Sequence, residues 1–281
     1  MPSPPRPTRA GLLANPRSDR VRAVRALSRR AVRHRQGLFL VEGPQGVREA
    51  VHHRPDLVRD VYVTPAAAQR YDDLLARADA AHLPVHEVTD EVLAALGDEG
   101  ASVSPQGLVA VCRTETATLE SVLARAPRLL CVCAQVRDPG NAGTVLRAAD
   151  AAGADAVVLT EGSVDVFSPK VVRSTAGSLF HLPVVTGVGA AEAVDAVRAA
   201  GLAVHAADGA GDRLLGALDL SAPHAWLMGN EAWGLPTELR ARCDDVVRVP
   251  IHGLAESLNL AMAATVCLYA SAGAQHPVGP A

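Results

Sequence analysis

Lysine is almost absent from this 281-residue chain: Lys170 is the only one, and arginine carries nearly all the remaining positive charge. Long apolar runs are absent as well. No stretch reaches the roughly 18 apolar residues that a membrane-spanning helix needs, so none is expected. The opening MPSPPRPTRAGLL holds no apolar segment of the kind a signal peptide requires, and a cytoplasmic chain without membrane attachment is the expectation. The five cysteines (Cys112, Cys131, Cys133, Cys243, Cys267) form neither a CxxC pair nor a regular framework, which argues against disulfides and structural zinc. No bound metal is expected. Cys131 and Cys133, in RLLCVCAQV, read as neighbours on one face of a buried strand rather than as a ligand pair. No internal repeat is found. The GxGxxG fingerprint and the P-loop lysine are both missing after the first strand of the C-terminal half, so dinucleotide and ATP chemistry lose ground.

What is present is a hydrophobic fraction of 49%, ample for packed cores, on a length that favours two domains. The formal net charge of −3 conceals an asymmetry: ten arginines lie from Arg6 to Arg35, with Asp19 the only acid among them. Genomic base composition can account for arginine over lysine, but not for the clustering. Such a segment suits contact with a polyanion, whose phosphates supply sequence-independent affinity; a solvated basic helix is the plainer alternative. Arg22, Arg25, Arg29, Arg30, Arg33 and Arg35 are the candidate contacts.

Residues 1–18, rich in Pro and Arg, read as a flexible tail. Val21, Val24, Leu27 and Val32 then recur among the arginines at near-helical spacing, which predicts a basic amphipathic helix over 19–35. Strands are expected at 38–41, 59–64, 84–88 and 106–112, with an Ala-rich helix over 66–81, making residues 19–112 a small α/β domain behind its basic helix. After 113–126, read as linker followed by helix, the alternation restarts and fills 127–273, with strands at 128–136, 156–160, 182–185, 202–208, 224–229 and 245–250. These short apolar strands read as buried on both faces, as in a parallel sheet. Residues 274–281 are a second tail.

Three segments of the second domain carry chemistry. In RDPGNAGTVLRAADAAG, Asn141 suits a cap for a helix starting near Gly143, and Arg147 lies in its second turn. Arg147 has no acid on its own face, so its partner is either a distant side chain or a substrate phosphate. In WLMGNEAWGLP (226–236), Gly229 permits close backbone approach to a ligand, and Glu231 emerges at a strand end. In VPIHGLAESLNLAMAATVCLY (249–269), a Gly-containing loop leads to Ser257 and Asn259 ahead of an apolar helix; a Ser257 cap with Asn259 merely solvated is the plain reading.

Together these segments resemble the three motifs of the SpoU/TrmH family of RNA 2′-O-methyltransferases, part of the SPOUT group. Asn141, Gly143 and Arg147 match the first motif; Gly229, Glu231, Gly234 and Leu235 match the second; Pro250, Gly253, Ser257, Leu258 and Asn259 match the third. The segment SPKVVRSTAGSLFHLPV is similar to the family's connecting region, with Arg173, Ser174 and Gly177 in place. One departure is Ala232-Trp233, where many members carry a Gly after the Glu. Upstream, GLFLVEGPQGVREAV resembles the start of the family's RNA-binding domain, similar in fold to ribosomal protein L30e.

The resemblance implies a parallel-sheet α/β domain with a deep trefoil knot, S-adenosylmethionine as cofactor, and a homodimer formed through the knotted domain. It implies cofactor contacts at Gly229, Val249, Ile251 and Leu258, and catalytic roles for Arg147, Asn141, Glu231, Ser257 and Asn259. Arginine stays protonated in proteins. Arg147 is therefore expected to grip the neighbouring phosphate and stabilise developing charge, while phosphate or water takes the ribose proton. Glu231 would hold an arginine, of this chain or of its dimer partner, in its productive rotamer. The implied substrate is structured RNA, ribosomal 23S RNA ahead of tRNA. A tRNA enzyme and a non-catalytic assembly factor of the same fold are the alternatives, the second disfavoured because the Asn, Arg, Glu and Ser positions are all intact.

Overall fold

The computed structural model of the protein describes residues 11–97 and 106–276. Of the expected tails over 1–18 and 274–281, residues 1–10 and 277–281 lie outside the described residues, and the last helix runs on to Gln275. The chain divides into two units: one runs to Glu115 and takes in Asp165–Phe180, the other holds Thr116–Val164 and the chain from His181 onward.

The first unit is built on a four-stranded sheet of β1 (Leu38–Glu42), β2 (Val58–Val63), β3 (Val85–Glu87) and β4 (Leu108–Arg113), in the order β1-β4-β2-β3. β4 runs antiparallel to β1 and β2, and β3 parallel to β2. The alternation in β1 sends Leu38 and Leu40 to one face and Phe39 and Val41 to the other, and each face has its own core. On the Leu38 face the apolar stripe Val21, Val24, Leu27 and Val32 packs with Val92, Leu93 and Leu96 of the helix Asp90–Leu96. On the Phe39 face the helices Pro44–His53 and Asp72–Ala80 are joined by Val172 and Phe180 from the far segment, and Phe167 sits 4.8 Å from the Phe39 ring.

The basic helix is broken where periodicity predicted one continuous run. It forms an α-helix over Asp19–Arg25, a 3-10 turn over Ala26–Ser28 and a second α-helix over Arg30–Gln36, with Arg29 extended between them. The break frees carbonyls, and Arg33 satisfies two of them by donating to Leu27 O at 2.9 Å and Ser28 O at 2.7 Å. The same guanidinium bonds Asp165 Oδ2 at 3.1 and 2.5 Å, with side-chain exposures of only 4% and 10%. Residues 11–18 do not all hang free: Leu13 exchanges backbone hydrogen bonds with Glu87 and Thr89 beside β3.

The second unit is a seven-stranded sheet of β5 (Leu129–Cys133), β6 (Ala156–Leu159), β7 (Val184–Thr186), β8 (Ala203–Ala207), β9 (Arg213–Leu214), β10 (His224–Met228) and β11 (Asp245–Arg248). Its order is β7-β6-β5-β10-β8-β11-β9, with all neighbours parallel. The central β5 and β10 are buried along their whole length. Leu130 and Val132 face the helix Ala190–Ala199; on the opposite face, Trp226 donates to Ser271 of the helix Leu260–Gln275 at 2.8 Å. Cys131 and Cys133 stand side by side in the interior with their sulfurs 3.9 Å apart, and all five cysteines are free. The two-residue β9 was not anticipated, since both its residues are exposed and nothing alternates. The helix expected at the end of 113–126 is Leu119–Leu123, whose Val122 is buried.

Candidate active site

Three loops leaving the C-terminal ends of parallel strands converge in the second unit, the place where open α/β sheets build ligand sites. After β5 the chain reaches Asp138, whose carboxylate accepts the Asn141 N–H at 2.7 Å and caps the helix Pro139–Ala151, with Pro139 at its first position. The cap is therefore Asp138, not Asn141, and the helix starts four residues before Gly143. This leaves the Asn141 carboxamide available for other work.

After β10 the chain turns back on itself. Asn230 and Gly234 exchange backbone hydrogen bonds of 3.0 and 2.9 Å, and Gly234 adopts φ +66°. Gly229 faces that turn so closely that a Cβ would lie 2.7 Å from the Gly234 carbonyl carbon. The Asn230 side chain locks the loop, donating to Gln135 O at 2.6 Å and accepting the Ala232 N–H at 2.8 Å.

The third loop follows β11 and ends at Asn259. Its carboxamide oxygen accepts the N–H groups of Ala261 at 2.9 Å and Met262 at 3.4 Å, so Asn259 and not Ser257 caps the last helix.

Hydrogen bonds join the three loops. Glu231 accepts the backbone N–H of Arg137 at 3.3 Å, that of Asp138 at 3.2 Å and the Asn141 Nδ2–H at 3.2 Å. Asn141 Oδ1 in turn accepts from Asn259 Nδ2 at 3.0 Å. Within this chain Glu231 sits at a helix N-terminus, where exposed N–H groups and the helix dipole both favour a carboxylate.

These loops enclose a cavity of about 440 Å³. Gly229, Val249, Ile251 and Leu258, the four positions expected to contact cofactor, all line it. So do Asn141, Glu231, Ser257 and Asn259. Arg147 does not: it lies further along the helix Pro139–Ala151, exposed, with no hydrogen-bond or ion-pair partner among the described residues. Sequence reasoning missed Asp208 and Glu256, which also line the cavity. Asp208 had a readable signal, an acid followed by Gly209 directly after the buried strand β8.

In the first unit, Arg22, Arg25, Arg29, Arg30 and Arg35 are exposed, as phosphate contacts must be. Arg33 is not. At 3% exposure, paired with Asp165 and two carbonyls, its guanidinium is spent on the fold, and the expectation that it contacts RNA is corrected.

Residues 128–269 match the model of the SpoU rRNA Methylase family, and residues 18–110 that of the MRM3-like substrate binding domain. Among curated relatives, the 23S rRNA (guanosine(2553)-2'-O)-methyltransferase RlmP of Bacillus subtilis is 33% identical over 254 residues, covering 90% of this chain and 96% of the relative. The 23S rRNA (uridine(2479)-2'-O)-methyltransferase of Streptomyces viridochromogenes is 34% identical over 248 residues, covering 86% and 85%. Among solved structures, an AdoMet-bound rRNA methyltransferase from Sinorhizobium meliloti superposes with a TM-score of 0.81 at 30% identity, over 96% of this chain and 99% of that one. With the motif residues gathered around one cavity and the match spanning both units, this chain belongs to the SpoU rRNA Methylase family.

Proposed function

We propose that this chain transfers a methyl group from S-adenosylmethionine to a ribose 2′-hydroxyl of 23S ribosomal RNA. The observation that carries this reading is the hydrogen-bonded path Glu231–Asn141–Asn259, which draws three motifs, distant in sequence, to the wall of one cavity. The names of the curated relatives supply the substrate class.

The cavity suits the cofactor on its own chemistry. Its volume falls in the range of small-molecule sites, roughly 300–1,000 Å³. Val249, Ile251 and Leu258 offer an apolar wall for a flat ring, while Asp208, Glu231 and Glu256 give a carboxylate-rich lining that favours a ligand carrying positive charge. Gly229 keeps backbone within reach. Bound S-adenosylmethionine supplies an electrophilic methyl group.

The rest of the chemistry falls to the chain. Arg147 projects into solvent uncommitted, which fits it to take an RNA phosphate through two parallel N–H donors and so orient the neighbouring ribose. Its charge stabilises the oxyanion that develops at the 2′-oxygen, and a phosphate oxygen or water accepts the proton. Asn141 and Asn259 align the ribose; Glu231 fixes both by holding the helix N-terminus; Ser257 shapes the opposite wall. The exposed arginines of the first unit, Arg22, Arg25, Arg29, Arg30 and Arg35, provide sequence-independent affinity for the RNA backbone.

The working form is a homodimer. The last helix leaves Met262, Val266 and Tyr269 exposed at 55%, 41% and 53%, an apolar stripe at helical spacing that a second copy would cover. Family membership further supports the trefoil knot in the second unit, and the ribosomal substrate supports a cytoplasmic location. Among the described residues no helix is long and apolar enough to cross a membrane.

The test is methyl transfer from radiolabelled S-adenosylmethionine to separate pools of unmodified ribosomal RNA and tRNA. Label is expected at a ribose 2′-oxygen of the ribosomal pool. Arg147→Ala should lower the rate by roughly two or more orders of magnitude, the scale of losing a charge-stabilising donor, while binding cofactor normally. Near-wild-type turnover in that variant would remove Arg147 from the mechanism.

A further inference from the structure

The chain has two tryptophans, and they have opposite fates. Trp226 lies in the centre of the second sheet at 0% exposure, its indole N–H bonded to Ser271. Trp233 stands near the tip of the Asn230–Gly234 turn at 52% exposure, two residues from Glu231. A single exposed apolar side chain is ordinary on a protein surface. Trp233 differs in what holds it. The Arg137 guanidinium lies over its ring, 4.9 Å from the centroid, and the Arg137 backbone N–H is bonded to Glu231. The backbone that carries the cation is thus bonded to the same carboxylate that accepts from Asn141.

We propose that Trp233 is a positioning residue for the RNA: a nucleobase next to the target ribose stacks on the indole face away from Arg137. This rests on the methyltransfer reading above. An indole backed by a guanidinium is a flat, rigid, electron-rich surface with a positive charge behind it, the combination by which proteins hold unstacked bases of single-stranded RNA. The position also fits the chemistry. A 2′-hydroxyl inside a regular helix is hard to align with a deep cavity, whereas a base splayed onto the lip of that cavity carries its own ribose inward.

The experiment measures steady-state methyl transfer to protein-free 23S RNA by the full chain, its Trp233→Leu variant and its Trp233→Phe variant, with sedimentation of each. Stacking of one base corresponds to roughly a five- to 150-fold change in affinity. Trp233→Leu should raise the KM for RNA by a factor in that range, with the KM for S-adenosylmethionine and the sedimentation coefficient unchanged. Trp233→Phe, which keeps an aromatic face, should restore most of the loss. Fluorescence gives an independent reading, because Trp226 is shielded: RNA should quench the exposed component of the wild-type emission and leave the emission of Trp233→Phe unaltered. An unchanged RNA KM in Trp233→Leu overturns the proposal. So does a change in sedimentation, which would assign the indole to contact between two copies. Quenching by RNA without methyl transfer in the wild type would overturn the methyltransfer reading and leave the platform standing.

Discussion

Each unit contains a polar tie between segments far apart in sequence, and the two ties differ in their access to water. In the first unit Arg33 reaches Asp165 with almost no exposure on either side chain. In the second, Glu231, Asn141 and Asn259 line an open cavity and are bonded at 3.2 and 3.0 Å. A buried charge that loses its partner has nowhere to turn, so the first tie is a strut. A solvated carboxamide that loses its partner bonds to water, so the second can be broken cheaply and contributes geometry more than stability.

Substitutions can break or sharpen this contrast. The largest effect should come from Asp165→Ala, which leaves the Arg33 guanidinium buried and unpaired; about 3–5 kcal/mol of stability should disappear in denaturant unfolding. A mild Asp165→Ala would show that water reaches the strut after all. Gly229→Ala comes next. Its methyl meets the Gly234 backbone, so roughly 1–3 kcal/mol should be lost, together with cofactor binding measured by calorimetry. Asn259→Ala removes a helix cap and should cost about 1 kcal/mol, with a much larger proportional loss of methyl transfer. Equal destabilisation by Asn259→Ala and Asp165→Ala would erase the distinction between the two ties.

The smallest effect is set by pH. Burial first, against a bond to the Ala222 carbonyl, pushes the pKa of His224 below 6.5, and burial likewise outweighs Asp245 in lowering His205. Both are held neutral in the fold, so the unfolded chain binds more protons just below 6.5. Their contribution is complete above that pH and declines as pH falls toward the depressed folded values. The denaturant midpoint should therefore be lower at about pH 5.5 than at about pH 7.5, and His224→Gln should flatten that slope.

Local pattern carried much of the architecture. The short apolar run LFLV marked β1, and apolar runs marked six of the seven strands of the parallel sheet. The family resemblance likewise implied site roles for eight of the residues that line the cavity. What stayed hidden depends on contacts between distant residues. Periodicity sees Val21 to Val32 as one helix; the break at Ser28 and Arg29 is completed by Arg33 and anchored by Asp165, 132 residues away. Arg33 itself looked like its basic neighbours because composition does not report burial. The cap at Asp138 was legible in the sequence, since an Asp followed by Pro suits the N-cap and first position of a helix better than Asn141 does.

The placement of Asp165–Phe180 within the first unit has a consequence for how the chain is made. Synthesis runs from the N-terminus, and a leading domain ordinarily closes while its successor is still being translated. Here the face bearing Phe39 lacks Phe167, Val172 and Phe180 until those residues have left the ribosome, by which time β5 and β6 are already out. The N-terminal unit is begun first and finished late, and any nascent chain stalled before Phe180 presents an open apolar face to the chaperones waiting at the exit.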